Sequence, residues 1–189
     1  MKFDYVIGNP PYNRNNVVKS IHGRYYKDIG KVKSGTKAFI MKGVDHLKDG
    51  GRLLFIVPTG WMVCLTSEPL REFLYNSGTF KEINIYGRDI FKSVTIPGRI
   101  AIIDYVKNYL STTKITQTYN NETYTTEIEK QDMVIPRSNI DTMYGKTPTC
   151  IPLYFGDMGK NILNKVITTG ISYNEDKSFI CYRPFRQSY

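Results

Sequence analysis

The chain has 189 residues, 41% of them hydrophobic and 23% charged, enough for one well-filled core in a soluble globular protein. Its formal net charge is +9 and its isoelectric point is near 9.4, a balance that favours a polyanionic partner. No apolar run reaches membrane-span length, no basic-then-apolar leader opens the chain, the 3 cysteines include no CxxC pair, and the 2 histidines stand apart. These features argue against a membrane partner, a disulfide framework and a metal site, and they fit a reducing cytoplasm.

Phe3 to Ile7 reads as a short apolar strand bounded by turn signals. It runs into Asn9-Pro10-Pro11-Tyr12. Both prolines have a fixed φ and no N–H, and Pro11 holds Pro10 extended. The turn is therefore stiff, and the carbonyls of Asn9 and Pro10 are not consumed by turn hydrogen bonds. Asn9 adds a side-chain oxygen and Tyr12 a flat ring. Rigid oxygen acceptors beside a stacking ring suit the grip of a planar group that carries an NH2.

Asn13 to Gly35 is polar, glycine-punctuated and basic, and reads as a mobile loop. Arg14, Lys19, Arg24, Lys27, Lys31 and Lys33 cluster there, interleaved with Tyr25 and Tyr26. Such a pattern neutralises phosphates while the rings pack or stack. A helix is expected from Lys37 to Lys48, with Ile40, Val44 and Leu47 on one face and Gly50 as its stop. Arg52 to Val57 is a buried strand. Thr66 or Ser67 caps a second helix, with Glu68 and Pro69 in its first turn, Leu70, Phe73 and Leu74 on its core face, and Gly78 as its end. Phe80 to Tyr86 and Ile100 to Val106 are two further strands. The alternation implies an α/β sheet with crossovers. Trp61 lines either a pocket or the core, and Arg88 and Asp89 pair at the surface.

The character changes beyond Asn108. Thr112 to Ile128 reads as a β-hairpin about Asn120-Asn121. Asp157 to Thr169 reads as a helix closed by Gly170. The chain ends on an aromatic, strand-like run from Phe179 to Tyr189.

Phe3 to Tyr12 resembles the catalytic motif of amino-methyltransferases, above all the adenine-N6 DNA methyltransferases of restriction-modification systems. The resemblance continues in family order over residues 1–110. It runs through Thr36-Lys37-Ala38-Phe39-Ile40, through Leu47 to Pro58, and through Ile90-Phe91-Lys92-Ser93-Val94 with the strand after it. It implies an α/β fold: a partial Rossmann-like methyltransferase sheet, the catalytic half, in residues 1–110. A β-rich or mixed region beginning a target-recognition or C-terminal domain follows in residues 111–189. It also implies S-adenosylmethionine as methyl donor and double-stranded DNA as substrate. The family's glycine-rich cofactor loop precedes the Asn-Pro-Pro-Tyr strand, and here only Met1 and Lys2 do. Gly50-Gly51 reads more simply as a helix end and turn. The expectation is a catalytic half without its cofactor-binding half, cut at both ends, which works with a complementary subunit.

By the same resemblance, Asn9 and Pro10 accept the two N6 hydrogens of a flipped adenine, Pro11 stiffens the turn, and Tyr12 and Phe91 stack on the base. Each stack is worth about 1–3 kcal/mol. Arg137, Arg183 and Arg186 are candidates for DNA contacts in the target-recognition region. Two alternatives stay open. One is a protein-glutamine N-methyltransferase, which holds an amide NH2 with the same tetrapeptide. The other is a catalytically inactive DNA-binding remnant or partner subunit.

Overall fold

A computed structural model describes residues 1–12, 35–62, 64, 67–87, 90–91, 98–119, 122–130, 151 and 161. Outside them lie the basic loop and the pair Arg88 and Asp89. The helix expected at 157–169, apart from residue 161, and the aromatic C-terminal run also lie outside.

The element order is β1 (Phe3–Gly8), α1 (Gly35–Asp45), β2 (Leu47–Pro58), a 3-10 turn (Thr59–Met62), α2 (Glu68–Ser77), β3 (Gly78–Tyr86), β4 (Ile100–Lys107), β5 (Thr113–Tyr119) and β6 (Glu122–Ile128). The strands form one six-stranded mixed sheet in the order β1-β2-β4-β3-β5-β6. β1 and β2 are parallel, β4 runs antiparallel to both β2 and β3, β5 is parallel to β3, and β6 returns antiparallel to β5. The α/β class expected from the alternating pattern is the class observed. The hairpin also forms as expected, with Tyr119 opposite Glu122. β5 pairs with β3, so one sheet continues across residue 110.

One face of the sheet holds the core. Leu53, Phe55 and Val57 of β2 alternate inward and meet Ile103 and Tyr105 of β4 and Phe80, Ile83 and Ile85 of β3. Ile40, Met41 and Val44 of α1 and Leu70 and Leu74 of α2 cover this layer. Each such side chain contributes about 1.5–3 kcal/mol by leaving water. The in-between residues Arg52, Leu54, Ile56 and Pro58 are only half-buried on the other face. There Arg52 forms an ion pair with Asp104. That hydrogen-bonded carboxylate, and its charge, hold the Arg52 guanidinium above its ordinary range.

The first helix ends earlier than its periodicity indicates. Leu47 keeps the spacing of Ile40 and Val44 and is fully buried, but it belongs to β2. The reason is non-local: the Phe3 N–H donates to the His46 carbonyl, 2.8 Å away, and Phe3 pairs with Leu47. Pairing with β1 thus captures the chain straight after the helix. β2 then takes five steps from Leu47 to Arg52 while β1 takes two from Phe3 to Tyr5. The extra length bulges out, and Gly50 sits there at φ +76°, a left-handed turn rather than a helix cap. Lys48 pairs with Asp4 at 2.9 Å and Asn108 Nδ2 donates to Asp49 at 2.7 Å, which pins the bulge on both sides.

α2 matches its expected span. Ser67 occupies the N-cap position, but its hydroxyl makes no capping bond. Gly78 is already the first residue of β3, in extended backbone. A Cβ there would lie 2.2 Å from the Val106 carbonyl oxygen, so the close approach of β3 to β4 requires glycine. A feature not anticipated is the buried Arg71. Its Nη1 donates to the carbonyls of Trp61 and Cys64, both at 2.7 Å, and ties the turn after β2 to α2. Trp61, half assigned to a pocket by its position, packs in the core against the Phe80 ring, with centroids 5.9 Å apart.

Two outcomes test this packing. Arg71→Ala strands two carbonyls and should cost about 2–3 kcal/mol in urea unfolding, since hydrogen bonds from a charged donor are the stronger kind. The fully buried Tyr105 donates its hydroxyl to the Leu74 carbonyl at 2.8 Å, and burial raises its pKa well above the ordinary value of 10.0. A phenol held protonated by folding adds stability that is complete below about pH 10 and is lost as the pH rises toward its folded value. Tyr105→Phe should therefore flatten the alkaline limb of the stability curve above pH 10, measured by urea midpoints across pH.

Candidate functional site

β1 ends at Gly8, paired with Phe55, and the chain enters Asn9-Pro10-Pro11-Tyr12 at the carboxyl end of that strand. Crevices at the carboxyl ends of parallel strands are where α/β sheets place their ligands. The same end of the sheet carries the Thr59–Met62 turn after β2 and the connection from β3 to β4, because Pro58, Tyr86 and Ile100 stand side by side across the sheet. Phe91 lies in that connection and is half-buried.

Within the turn, Asn9 and Pro11 are exposed, Pro10 is buried and Tyr12 is half-buried. The Tyr12 hydroxyl lies 2.7 Å from Asn9 Oδ1 and 3.2 Å from the Ile56 carbonyl oxygen. Tyr12 therefore folds back over β2 and joins the Asn9 carboxamide to the sheet. Burial holds its phenol above the ordinary tyrosine range, which leaves it a neutral donor at physiological pH. No peptide bond among the described residues is cis, so the two prolines achieve the turn in trans.

The structure thus brings Asn9 and Tyr12 into direct contact and puts Phe91 at the same end of the sheet. Arg14, Lys19, Arg24, Lys27, Lys31, Lys33, Arg137, Arg183 and Arg186 lie outside the described residues. Two contributors were not anticipated. Arg71 holds the turn after β2, and Arg99 donates to Gln117 Oε1 at 2.8 Å and to the Thr118 carbonyl at 3.2 Å, tying the start of β4 to β5. A charged residue beside the core positions of an amphipathic helix was the available signal for Arg71. Arg99 had none.

The side chains of the first strand are exposed to an unusual degree. Tyr5 is 57% exposed and Ile7 72%, on the half-buried face of the sheet. Among the described residues β1 pairs on one side only. Those residues include no group of three metal-ligating side chains, and no helix long and apolar enough to cross a membrane.

Residues 1–91 match the model of the Eco57I restriction-modification methylase family. The type II methyltransferase M.HincII of Haemophilus influenzae is 32% identical over 114 residues, which are 56% of this chain and 22% of that protein. An adenine-specific methylase of Mycoplasma pneumoniae is 32% identical over 133 residues, 68% of this chain and 29% of that one. The chain therefore spans less than a third of the length of these relatives. Among solved structures, the type IIG restriction endonuclease BpuSI superimposes with a TM-score of 0.54 at 12% identity, over 68% of this chain and 19% of its own, a likeness of fold. The resemblance read from Phe3 to Tyr12 holds: over residues 1–91 this chain is similar to the restriction-modification methylases, and its relatives include an adenine-specific one.

Proposed function

We propose that this chain is the amino-group-holding part of a site-specific adenine-N6 DNA methyltransferase of restriction-modification type, using S-adenosylmethionine in a cytoplasmic setting. The observation that carries the reading is the exposed Asn9 carboxamide on a rigid proline turn, tied by Tyr12 to the carboxyl end of a parallel strand pair. The sequence similarity of residues 1–91 supports it.

The amino nitrogen of adenine is a weak nucleophile because its lone pair is shared with the ring. Asn9 Oδ1 and the Pro10 carbonyl each accept one of its hydrogens. Acceptors set out of the base plane favour a pyramidal nitrogen with a directed lone pair. This is positioning and electrostatic preorganisation, and it asks for no covalent intermediate. The base is buried in a duplex, so it flips out, with Tyr12 on one face and Phe91 on the other. Arg14, Lys19, Arg24, Lys27, Lys31 and Lys33 neutralise phosphates, with Arg137, Arg183 and Arg186 in a target-recognition region. The division near residue 110 is then one of roles: base holding before it, the start of target recognition after it.

The described residues do not fit a cofactor cradle. β1 ends in Gly8-Asn9-Pro10 rather than a glycine-rich turn into a helix, and Gly50 turns inside a strand bulge. The methyl donor is therefore assigned to a complementary domain or subunit. The one-sided pairing of β1 among the described residues and its exposed Phe3, Tyr5 and Ile7 support a body packing at that edge.

The mechanism is tested by supplying the complementary half and measuring methyl transfer to duplex DNA. Asn9→Ala should lower the rate by about a hundredfold or more, the scale of losing a preorganised polar contact, while DNA affinity stays within about twofold. Full activity in that variant would overturn the assignment. Calorimetric titration with S-adenosylmethionine should give no heat with the chain alone and a saturable signal once the complementary half is present. Micromolar binding to the chain alone would place a cofactor pocket where none is proposed.

A further inference from the structure

The Tyr12 hydroxyl has one proton and faces two acceptors, Asn9 Oδ1 at 2.7 Å and the Ile56 carbonyl oxygen at 3.2 Å. Donation to Asn9 leaves the Ile56 carbonyl with the longer, poorer contact. Donation to Ile56 sets the phenol lone pairs against Oδ1. Turning the Asn9 carboxamide end for end removes the conflict. The two ends of a carboxamide are alike in shape and opposite in chemistry. After the turn, Asn9 Nδ2 donates to the Tyr12 oxygen, and Tyr12 donates to Ile56. Every contact in that series joins one donor to one acceptor.

The turn changes what a ligand meets. Asn9 is exposed, so the end of its carboxamide directed away from Tyr12 faces the open side of the site. With Oδ1 on Tyr12, that open end is the NH2, a donor that suits a carbonyl. With Nδ2 on Tyr12, it is the oxygen, an acceptor that suits an amino group. The Ile56 carbonyl biases the choice because it is a fixed acceptor. It belongs to β2, one residue past the last β1 pair at Phe55.

We propose that the Tyr12 hydroxyl, acting through the Ile56 carbonyl, is a specificity-determining group that turns the Asn9 oxygen outward and so selects an amino-bearing base over a carbonyl-bearing one. This rests on the reading of Asn9 as the holder of a substrate amino group. It assigns to the hydroxyl a role separate from stacking by the ring, and Tyr12→Phe separates the two.

The test compares a single-stranded oligonucleotide carrying one adenine with the same oligonucleotide carrying hypoxanthine there, which replaces the amino group by a carbonyl. Both are titrated by fluorescence anisotropy into the wild-type chain and Tyr12→Phe. An oligonucleotide abasic at that position reports affinity that does not involve the base. The wild type should prefer adenine. Tyr12→Phe should lower the adenine-over-hypoxanthine affinity ratio by about tenfold, the size of one neutral hydrogen bond, with the abasic affinity unchanged. A wild-type preference that Tyr12→Phe retains in full overturns the role of the hydroxyl and leaves the amino-group reading standing. A wild type indifferent to the exchange overturns the amino-group reading itself.

Discussion

The parallel pairing of β1 with β2 is the constraint from which the rest of this structure takes its position. β1 is short, and its registered pairs with β2 run from Phe3 at Leu47 to Gly8 at Phe55. That ladder sets where Asn9 emerges. It also ends α1 by drawing Leu47 into the sheet, and it creates the bulge that Gly50 turns and Lys48 anchors. Beyond the ladder, Tyr12 reaches the Ile56 carbonyl and carries the registration one step further with a side chain. The rigid proline turn is thus clamped at both ends, by backbone pairing before it and by a phenol after it. A carboxamide held this way has little freedom of place left, and its remaining freedom is the turn about its own axis.

Much of the architecture was legible because its signals are local. Short apolar runs beside turn signals marked the strands, Thr66 or Ser67 before Glu68-Pro69 marked the start of α2, and the polar-apolar alternation around residues 120 and 121 marked the hairpin. What was not legible depends on partners distant in sequence. Leu47 has the spacing of a helix residue and the burial of a core residue, and only β1 makes it a strand residue. Arg71 looks like a solvent-facing helix charge, yet carbonyls at positions 61 and 64 draw it inward. Trp61 could have lined a cleft, and Phe80 decides that it belongs to the core. In the site the tetrapeptide was legible as acceptors beside a ring. The hydroxyl of Tyr12 was not, since its partner Ile56 is 44 residues away.

The two faces of the sheet differ in kind. One is filled by both described helices and reads as a finished core. The other carries the Arg52–Asp104 pair, half-buried Leu54, Ile56 and Ile102, and the exposed Tyr5 and Ile7 beside them. Polar pairing and partial burial let such a face exist in water, while the apolar members keep it suited to contact.

The place of β4 has a consequence for how the chain is made. β4 is the fourth strand in sequence but lies between the second and the third, bonded to both along most of its length. During vectorial synthesis, β2 and β3 emerge before the strand that joins them. Until Lys107 has left the ribosome each keeps an open hydrogen-bonding side, and the helices have only a divided surface to settle on. The core around β4 therefore depends on contacts of long sequence separation and cannot grow strand by strand from the amino terminus.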